Sequence, residues 1–301
     1  MSQLIPIFFN VLTPVFALIV VGYVAGPRLK LQVDTLTQLA YFVLIPAFVF
    51  DVLSRAAFPA GLAVRMVLFV QVVFILSALA AFGVAKALGR PPQMVAAYML
   101  IASFANVGNF GLPIIQFRLG EAGLEAATVF FVSSVFISFL IGVAVSNWYK
   151  GGSMGAFLAV IKTPALIVVP PALLVNALDV TLPLAVTRPL GLIGQAMIPV
   201  MLLTLGVQLA AIEKIDFSRD VIYAGLVRLL VGPAVALLLA VPFGLTGIER
   251  GAGVLQASMP VAILASFIAL QHDLIPEFVT TTVLFSTLAS VVTLTVMLAI
   301  V

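Results

Sequence analysis

The residues best suited to chemistry in this sequence are glycines, prolines and amides that interrupt two long apolar segments. The first interruption, Asn106 to Pro113, contains two Asn, two Gly and one Pro within eight residues. These residues have poor helix propensity and the proline lacks an amide donor, so we expect the helix to break. Gly108 or Asn109 can adopt the left-handed conformation that ends a helix, and Pro113 suits the first turn of the next one. Broken backbone inside a membrane segment is tolerated only beside protein or a wet cavity, so the pattern predicts a cavity.

A second interruption, Gln256 to Pro260, also places a proline and small polar residues inside an apolar segment. If the two breaks cross, the N-termini of the half-helices aim free N–H groups and a partial positive charge at one point. Amide side chains there would let a carboxylate bind without a charged partner. Close packing or simple kinks are the alternative, which stays open above all for this second interruption. The predicted substrate-binding residues are Asn106, Gly108, Asn109, Gly111, Pro113, Gln256, Ser258 and Pro260.

Two arginines, Arg65 and Arg228, fall a few residues inside apolar segments. A charged group at membrane depth is costly and suggests a function, here the attraction of an anion. The alternative is that each arginine extends to the interface or caps backbone carbonyls. We keep Arg228 as a candidate for anion attraction.

The composition indicates an integral membrane protein made of helices. Of 301 residues, 63% are hydrophobic and 8% are charged, whereas soluble domains average about 45–50% apolar and about 25% charged residues. The apolar runs are long and do not alternate, which favours helices over a β-barrel. Ten membrane spans are predicted, at approximately residues 4–26, 34–54, 62–87, 94–117, 122–148, 156–178, 184–212, 220–244, 250–270 and 277–300.

Several classes of protein are excluded by what the sequence lacks. With no Cys and a single His, it offers no disulfide, iron–sulfur cluster or imidazole metal site. It has no HExxH or GxxxxGK[ST] motif and no basic block suited to nucleic acid. The residues Gly151 to Gly155 match the letters of GxSxG, but they follow a predicted helix and not the strand from which a nucleophile elbow turns. We therefore predict that the protein is not an enzyme and has no catalytic residues, no metal site and no nucleic-acid partner.

The two halves of the sequence resemble each other. Four dipeptides recur in the same order: Thr13-Pro14 as Thr163-Pro164, Ile45-Pro46 as Ile198-Pro199, Val64-Arg65 as Val227-Arg228, and Ala102-Ser103 as Ala257-Ser258. Because each half has an odd number of helices, we predict inverted repeats at residues 1–150 and 151–301. Lys and Arg beside the spans number eight on one side and five on the other, which favours both termini outside. Inverted repeats are typical of transporters, with the substrate near the midplane.

The motifs also resemble those of a known family, the auxin efflux carriers. Asn106 to Pro113 resembles the family's fourth-helix motif. Gln256 to Pro260, followed by Phe267, Ala269 and Thr281 to Phe285, is similar to its ninth and tenth helices. Pro14 with Gly22-Tyr23, and Pro46 after Tyr41-Phe42, are similar to its first and second helices.

The resemblance implies an all-α fold of ten transmembrane helices in two inverted five-helix repeats. Helices 1, 2, 6 and 7 would form a scaffold that dimerises. Helices 3–5 and 8–10 would form a transport bundle that moves against the scaffold, as in an elevator. Helices 4 and 9, broken where they cross, would hold an organic anion. By position, Asn106, Pro113, Gln256 and Pro260 match the family's crossover residues.

Together these patterns predict a secondary transporter that exports small organic carboxylate anions by alternating access. We expect it in a bacterial cytoplasmic membrane, with both termini periplasmic, as a homodimer without a cofactor. A sodium-coupled importer of organic anions on the same fold is the alternative, because sodium could bind at the carbonyl ends of half-helices. A channel and a structural or sensor membrane protein are alternatives from other classes.

Overall fold

The protein consists of apolar helices packed side by side. The computed structural model describes residues 6, 8–57, 59–150, 163–212 and 217–301. Across these ranges the chain forms helices and their connections, with no β-strand and one isolated β-bridge between Ala105 and Val261. The prediction of an all-α fold is confirmed.

Eleven helices follow one another within the described ranges. They are α1 (Phe8–Arg28), α2 (Val33–Arg55), α3 (Ala60–Ala87), α4 (Pro92–Ser103), α5 (Leu112–Lys150), α6 (Pro164–Ala177), α7 (Leu184–Ala210), α8 (Arg219–Ala240), α9 (Gly247–Ala257), α10 (Leu264–His272) and α11 (Pro276–Ile300). A π-helical turn at Val107–Gly111 leads directly into α5. Gly120, at φ +68°, divides α5 into a short first segment and a long second one.

Seven of the described helices are long and apolar enough to cross a membrane: α1, α2, α3, α5 with its preceding turn, α7, α8 and α11. The shorter helices lie where further spans were predicted. The predicted fourth span corresponds to α4 and the start of α5, and the predicted ninth span to α9 and α10. The chain is therefore a multi-pass membrane protein, whereas ten crossings in an inverted repeat stay a prediction.

Four π-helical turns share one sequence feature, since each is followed by one residue and then a proline. The turns are Phe8–Leu12, Ala40–Leu44, Val107–Gly111 and Val227–Val231, which precede Pro14, Pro46, Pro113 and Pro233. In a regular α-helix the ring of a proline clashes with the carbonyl four residues earlier, and the proline has no N–H to donate to that carbonyl. A locally wider turn relieves this clash and bends the helix. These four prolines therefore shape their helices without ending them.

Helices α1, α2, α6 and α7 pack into a first group. A Cβ on Gly22 of α1 would lie 2.1 Å from the carbonyl oxygen of Leu203, and one on Gly206 of α7 would lie 2.0 Å from that of Ile19. Small residues let membrane helices approach until their backbones touch, which strengthens van der Waals packing. The backbones of α1 and α7 are thus in direct contact at these two glycines.

Helices α3–α5 and α8–α11 pack into a second group. One cluster of buried apolar residues lies within this second group, and another extends across both groups. The boundary between the groups is consequently lined by apolar side chains. The breaks between α4 and α5 and between α9 and α10 both belong to the second group.

Candidate functional site

The first predicted interruption is a break in the helix, but its conformation differs from the prediction. The helix ends at Ser103, and Phe104, at φ −110° and ψ 84°, begins a short non-helical stretch that continues to Asn106. Neither Gly108 nor Asn109 has a positive φ, so the predicted left-handed conformation is wrong. The residues from Phe104 to Asn106 redirect the chain instead, because they pair with the second break.

The two breaks lie against each other as a short antiparallel pair. The Asn106 amide donates to the Pro260 carbonyl at 2.8 Å, and the Ala262 amide donates to the Phe104 carbonyl at 2.7 Å. A helix break leaves N–H and C=O groups without intrahelical partners, and each must find another away from water. The two interrupted segments supply part of each other's hydrogen bonding.

Side chains satisfy further backbone groups at the breaks. Ser286 Oγ accepts from the Val261 amide at 3.1 Å, and Ser138 Oγ donates to the Ser103 carbonyl. Arg228, only 1% exposed, donates to the carbonyls of Ala102, Ala257 and Met259. The candidate for anion attraction therefore caps backbone carbonyls.

A cavity of about 140 Å³ lies beside the paired breaks, at the boundary between the two helix groups. It has room for a small organic molecule or several water molecules. The first group contributes Tyr41, Ile45, Thr163, Ala165 and Met201 to its wall. The second group contributes Phe104 to Asn109, Phe131, Ser134, Val135, Ser138, Phe139 and Ala262 to Leu264.

Both half-helices that follow the breaks begin at this cavity. Val107, Gly108 and Asn109 start the turn that leads into α5, and Ile263 and Leu264 lie at the start of α10. The first N–H groups of a helix have no intrahelical acceptor, and the helix dipole adds partial positive charge there. This wall of the cavity is therefore suited to the negative end of a ligand.

Two carboxamides without a hydrogen-bond partner in the described ranges line the cavity. Asn106 is 4% exposed, and its Nδ2 has no partner among the described residues. Asn109 is half-buried, and its side chain makes no hydrogen bond within the described part of the chain. No charged side chain of the described residues lines the cavity. Since an unpaired buried amide is costly, its position here points to a ligand or water as its partner.

The other predicted substrate-binding residues do not line the cavity: Gly111, Pro113, Gln256, Ser258 and Pro260. Gln256 is completely buried, and its Nε2 donates to the Ala127 carbonyl at 3.2 Å. Its Oε1 lies so close to Gly111 that a Cβ there would be 2.1 Å away. Ser258 Oγ donates to the Val254 carbonyl at 2.7 Å. These residues shape the breaks, and a direct contact with substrate stays a prediction for them.

Sequence patterns did not identify the part of the wall that the first helix group supplies. Tyr41 belongs to the pattern similar to the family's second helix, which gives it no role in binding, and no sequence feature distinguishes Met201. The serines Ser134 and Ser138 were detectable, because a spacing of four residues places both hydroxyls on one face of an apolar helix. Which helix faces that surface is decided by tertiary packing alone.

Comparison with known proteins identifies transporters similar to nearly the whole chain and a plant protein similar to part of it. The sequence profile described as Membrane transport protein matches residues 7–156 and 153–298. An uncharacterized transporter from Methanothermobacter thermautotrophicus is 25% identical over 285 residues, covering 93% of this chain and 94% of its own length. Uncharacterized transporter YfdV from Escherichia coli is 25% identical over 300 residues, with 95% of each chain covered. Auxin efflux carrier component 1 from Arabidopsis thaliana is 25% identical over 112 residues, which are 36% of this chain and 18% of the plant protein.

Proposed function

This chain belongs to the Membrane transport protein family, that of the auxin efflux carriers, and on that premise we propose that it exports small organic carboxylate anions by alternating access. The relatives are transporters, and the protein is not an enzyme. One observation supports the substrate class above all. Asn106 and Asn109, whose carboxamides have no partner among the residues that the structure describes, lie beside two helix N-termini in a cavity whose described wall has no charged side chain.

A carboxylate would be recognised by dipoles alone. Its oxygens can accept hydrogen bonds from the Asn106 and Asn109 amides and from N–H groups at the helix starts, and bonds to an ionised acceptor are about twice as strong as neutral ones. The absence of a lysine or arginine from the described wall keeps binding moderate, which favours release. The apolar part of the ligand would lie against Phe104, Phe131 and Phe139.

The hydrogen bonds between helices support an elevator movement of the second group against the first. Asn176 donates to the Ser54 and Ala56 carbonyls, and Gln208 Nε2 donates to Thr37 Oγ1, all within the first group. The second group contains its own set, including Gln71 Nε2 to Ser133 Oγ, Arg90 to Asp220, and the Arg228 bonds.

Across the boundary, the described ranges show one side-chain hydrogen bond, from the Ala57 amide to Glu125 Oε2 at 3.3 Å. Ala57 lies in the connection between α2 and α3, where the two groups are covalently joined. Surfaces that slide past each other must not leave buried polar groups unpaired. An apolar boundary therefore favours movement of α3–α5 and α8–α11 as one unit.

A row of cavities supports an access route to the site. A second cavity of about 130 Å³ shares Tyr41, Asn109 and Met201 with the first. A third, of about 630 Å³, shares Gln208 and Phe267 with the second and includes residues at or just beyond the ends of three helices: Asp34, Ile212 and Glu277. Under the predicted topology this end faces the cytoplasm. The route would thus admit a cytoplasmic substrate.

We extend the proposal to the membrane arrangement. Ten helices in two inverted repeats would place both termini in the periplasm of a bacterial cytoplasmic membrane, with α1, α2, α6 and α7 forming the homodimer contact. Exposed apolar side chains on these helices, such as Val20, Val21 and Leu192, suit lipid or a second copy. The inside-negative potential favours export of one negative charge by about 2.3 kcal/mol per 100 mV, so export needs no coupled ion.

The test is uptake of labelled carboxylates into proteoliposomes, with candidates chosen by thermal shift, because a ligand that binds the folded state raises its stability. We expect Asn106→Ala to raise KM by roughly 10- to 100-fold, since a hydrogen bond to a charged group is lost. Asn176→Ala makes the same truncation in α6, away from the cavity, and should leave KM unchanged.

Four results would contradict the proposal or favour one of its alternatives. Absence of flux for every carboxylate, or equal KM for wild type and Asn106→Ala, would refute the carboxylate site. Loss of flux when choline replaces sodium would favour the sodium-coupled importer. Unitary current steps in single-channel recordings would indicate a channel.

A further inference from the structure

Arg228 is a fully buried arginine inside the second helix group. It is 1% exposed, and its guanidinium lies 5.8 Å from the centre of the Phe74 ring. In the described part of the chain no carboxylate pairs with it. Burying a charged group without a partner costs much free energy, so groups other than a carboxylate must stabilise the guanidinium.

Three backbone carbonyls take the place of a carboxylate. Arg228 donates from Nη1 to Ala102 at 2.8 Å, from Nη2 to Ala257 at 2.6 Å and from Nε to Met259 at 3.0 Å. Ala102 is in the last turn of α4, and Ala257 is the last residue of α9. The C-terminal ends of helices bear partial negative charge, so the guanidinium is balanced by two helix ends at once.

The contacted carbonyls are only a few residues from the cavity. Ala102 precedes Phe104, which lines it, and Met259 precedes Pro260, whose carbonyl accepts the Asn106 amide. The guanidinium is planar, and its donors have a fixed geometry, so three bonds to it fix the relative position of the two helix ends.

A glycine in α8 also makes room for the contact between Arg228 and the two helix ends. A Cβ on Gly232 would lie 2.6 Å from the Ala257 carbonyl oxygen and 3.5 Å from Arg228 Cζ. Glycine at this position therefore lets α8 approach the end of α9 closely enough for Arg228 to extend to both helix ends.

We propose that Arg228 is a positioning residue for the substrate site, which acts by joining the ends of α4 and α9. The junction holds the Asn106 amide and both half-helix N-termini in the arrangement that a carboxylate requires. This inference rests on the proposed function, and it differs from direct attraction of the anion because Arg228 does not line the cavity.

Two variants test this role. Arg228→Lys keeps a positive charge but not the planar set of donors, and Gly232→Ala keeps the arginine while pushing α8 away from Ala257. The matched controls are Arg65→Lys, an exposed arginine with one bond to the Gly244 carbonyl, and Gly83→Ala, whose Cβ would meet nothing within 4 Å. The measurements are KM and Vmax per folded molecule for a transported carboxylate, and inhibition by its neutral carboxamide.

We expect each test variant to raise the carboxylate KM by about tenfold and to lower the preference for carboxylate over carboxamide, with both controls at wild-type values. A purely structural role would reduce the yield or melting temperature but leave KM and this preference unchanged, and that result in folded Arg228→Lys would overturn the inference. If Arg228→Lys does not fold, the same measurements on Gly232→Ala decide, and an unchanged KM and carboxylate preference in that variant would overturn the inference. A wild-type protein that transports no carboxylate would instead refute the proposed function, and the inference with it.

Discussion

Gly111 and Gln256 allow a direct test of how closely the two interrupted segments pack. A Cβ on Gly111 would lie 2.1 Å from Gln256 Oε1 and 3.0 Å from its Cδ. An ordinary contact begins at 3.4 Å, so in Gly111→Ala the Oε1 atom must retreat by roughly 1.3 Å. Gln256 is completely buried and tied to the Ala127 carbonyl, so it has little room to retreat.

The cost of Gly111→Ala follows from this geometry. Overpacking a filled interior costs about 1–3 kcal/mol. Weakening the hydrogen bond from Gln256 to Ala127 adds about 1 kcal/mol. A loss of about 2–4 kcal/mol should lower the melting temperature by roughly 5–10 °C in a chain of this size.

A double-mutant cycle separates this clash from general damage. Gln256→Ala removes the obstructing atoms, so Gly111→Ala should cost about 1–3 kcal/mol less in that background than in the wild type. Thermal unfolding in detergent measures all four proteins. Gly61→Ala is the control, because its Cβ would meet nothing within 4 Å. Strictly additive losses, or no loss in Gly111→Ala, would show that the two segments do not touch as described.

Two further predictions concern the second break and the topology. Ser286→Ala should lower the melting temperature by several degrees, because the buried Val261 amide loses its acceptor at a cost of about 1–3 kcal/mol; an unchanged melting temperature in this variant would contradict the prediction. In this Cys-free chain, an impermeant maleimide should label Thr181→Cys in intact cells and Gln32→Cys only after permeabilisation, and the reverse pattern would show the opposite orientation.

Local sequence was sufficient to place the two breaks to within a few residues. Asn106 to Pro113 and Gln256 to Pro260 combine poor helix formers with a proline, and these preferences act within a few residues of the chain. The conformation at the first break was not predictable in the same way. Phe104 and Ala105 are ordinary apolar residues. The chain leaves the helix there because the Ala262 amide donates to the Phe104 carbonyl and the Pro260 carbonyl accepts from the Asn106 amide.

The two arginines also show that local sequence does not decide the role of a side chain. Arg65 and Arg228 occupy similar sequence positions, yet Arg65 is exposed with one backbone bond and Arg228 is buried with three. Both anion attraction and carbonyl capping are compatible with either sequence context. The outcome depends on whether two helix ends distant in sequence come within reach of the guanidinium.

The sequence by itself determined that the chain forms apolar membrane helices, because the length of an apolar run is enough to match the hydrocarbon thickness of a bilayer. It also determined, to within a few residues, where the fourth and ninth predicted spans are interrupted. Only the tertiary structure decided which residues meet at the cavity, including Tyr41 and Met201 from the opposite helix group. The physical reason is that a helix face acquires its role from its rotation and its neighbours, and both are set by packing between segments far apart in the chain.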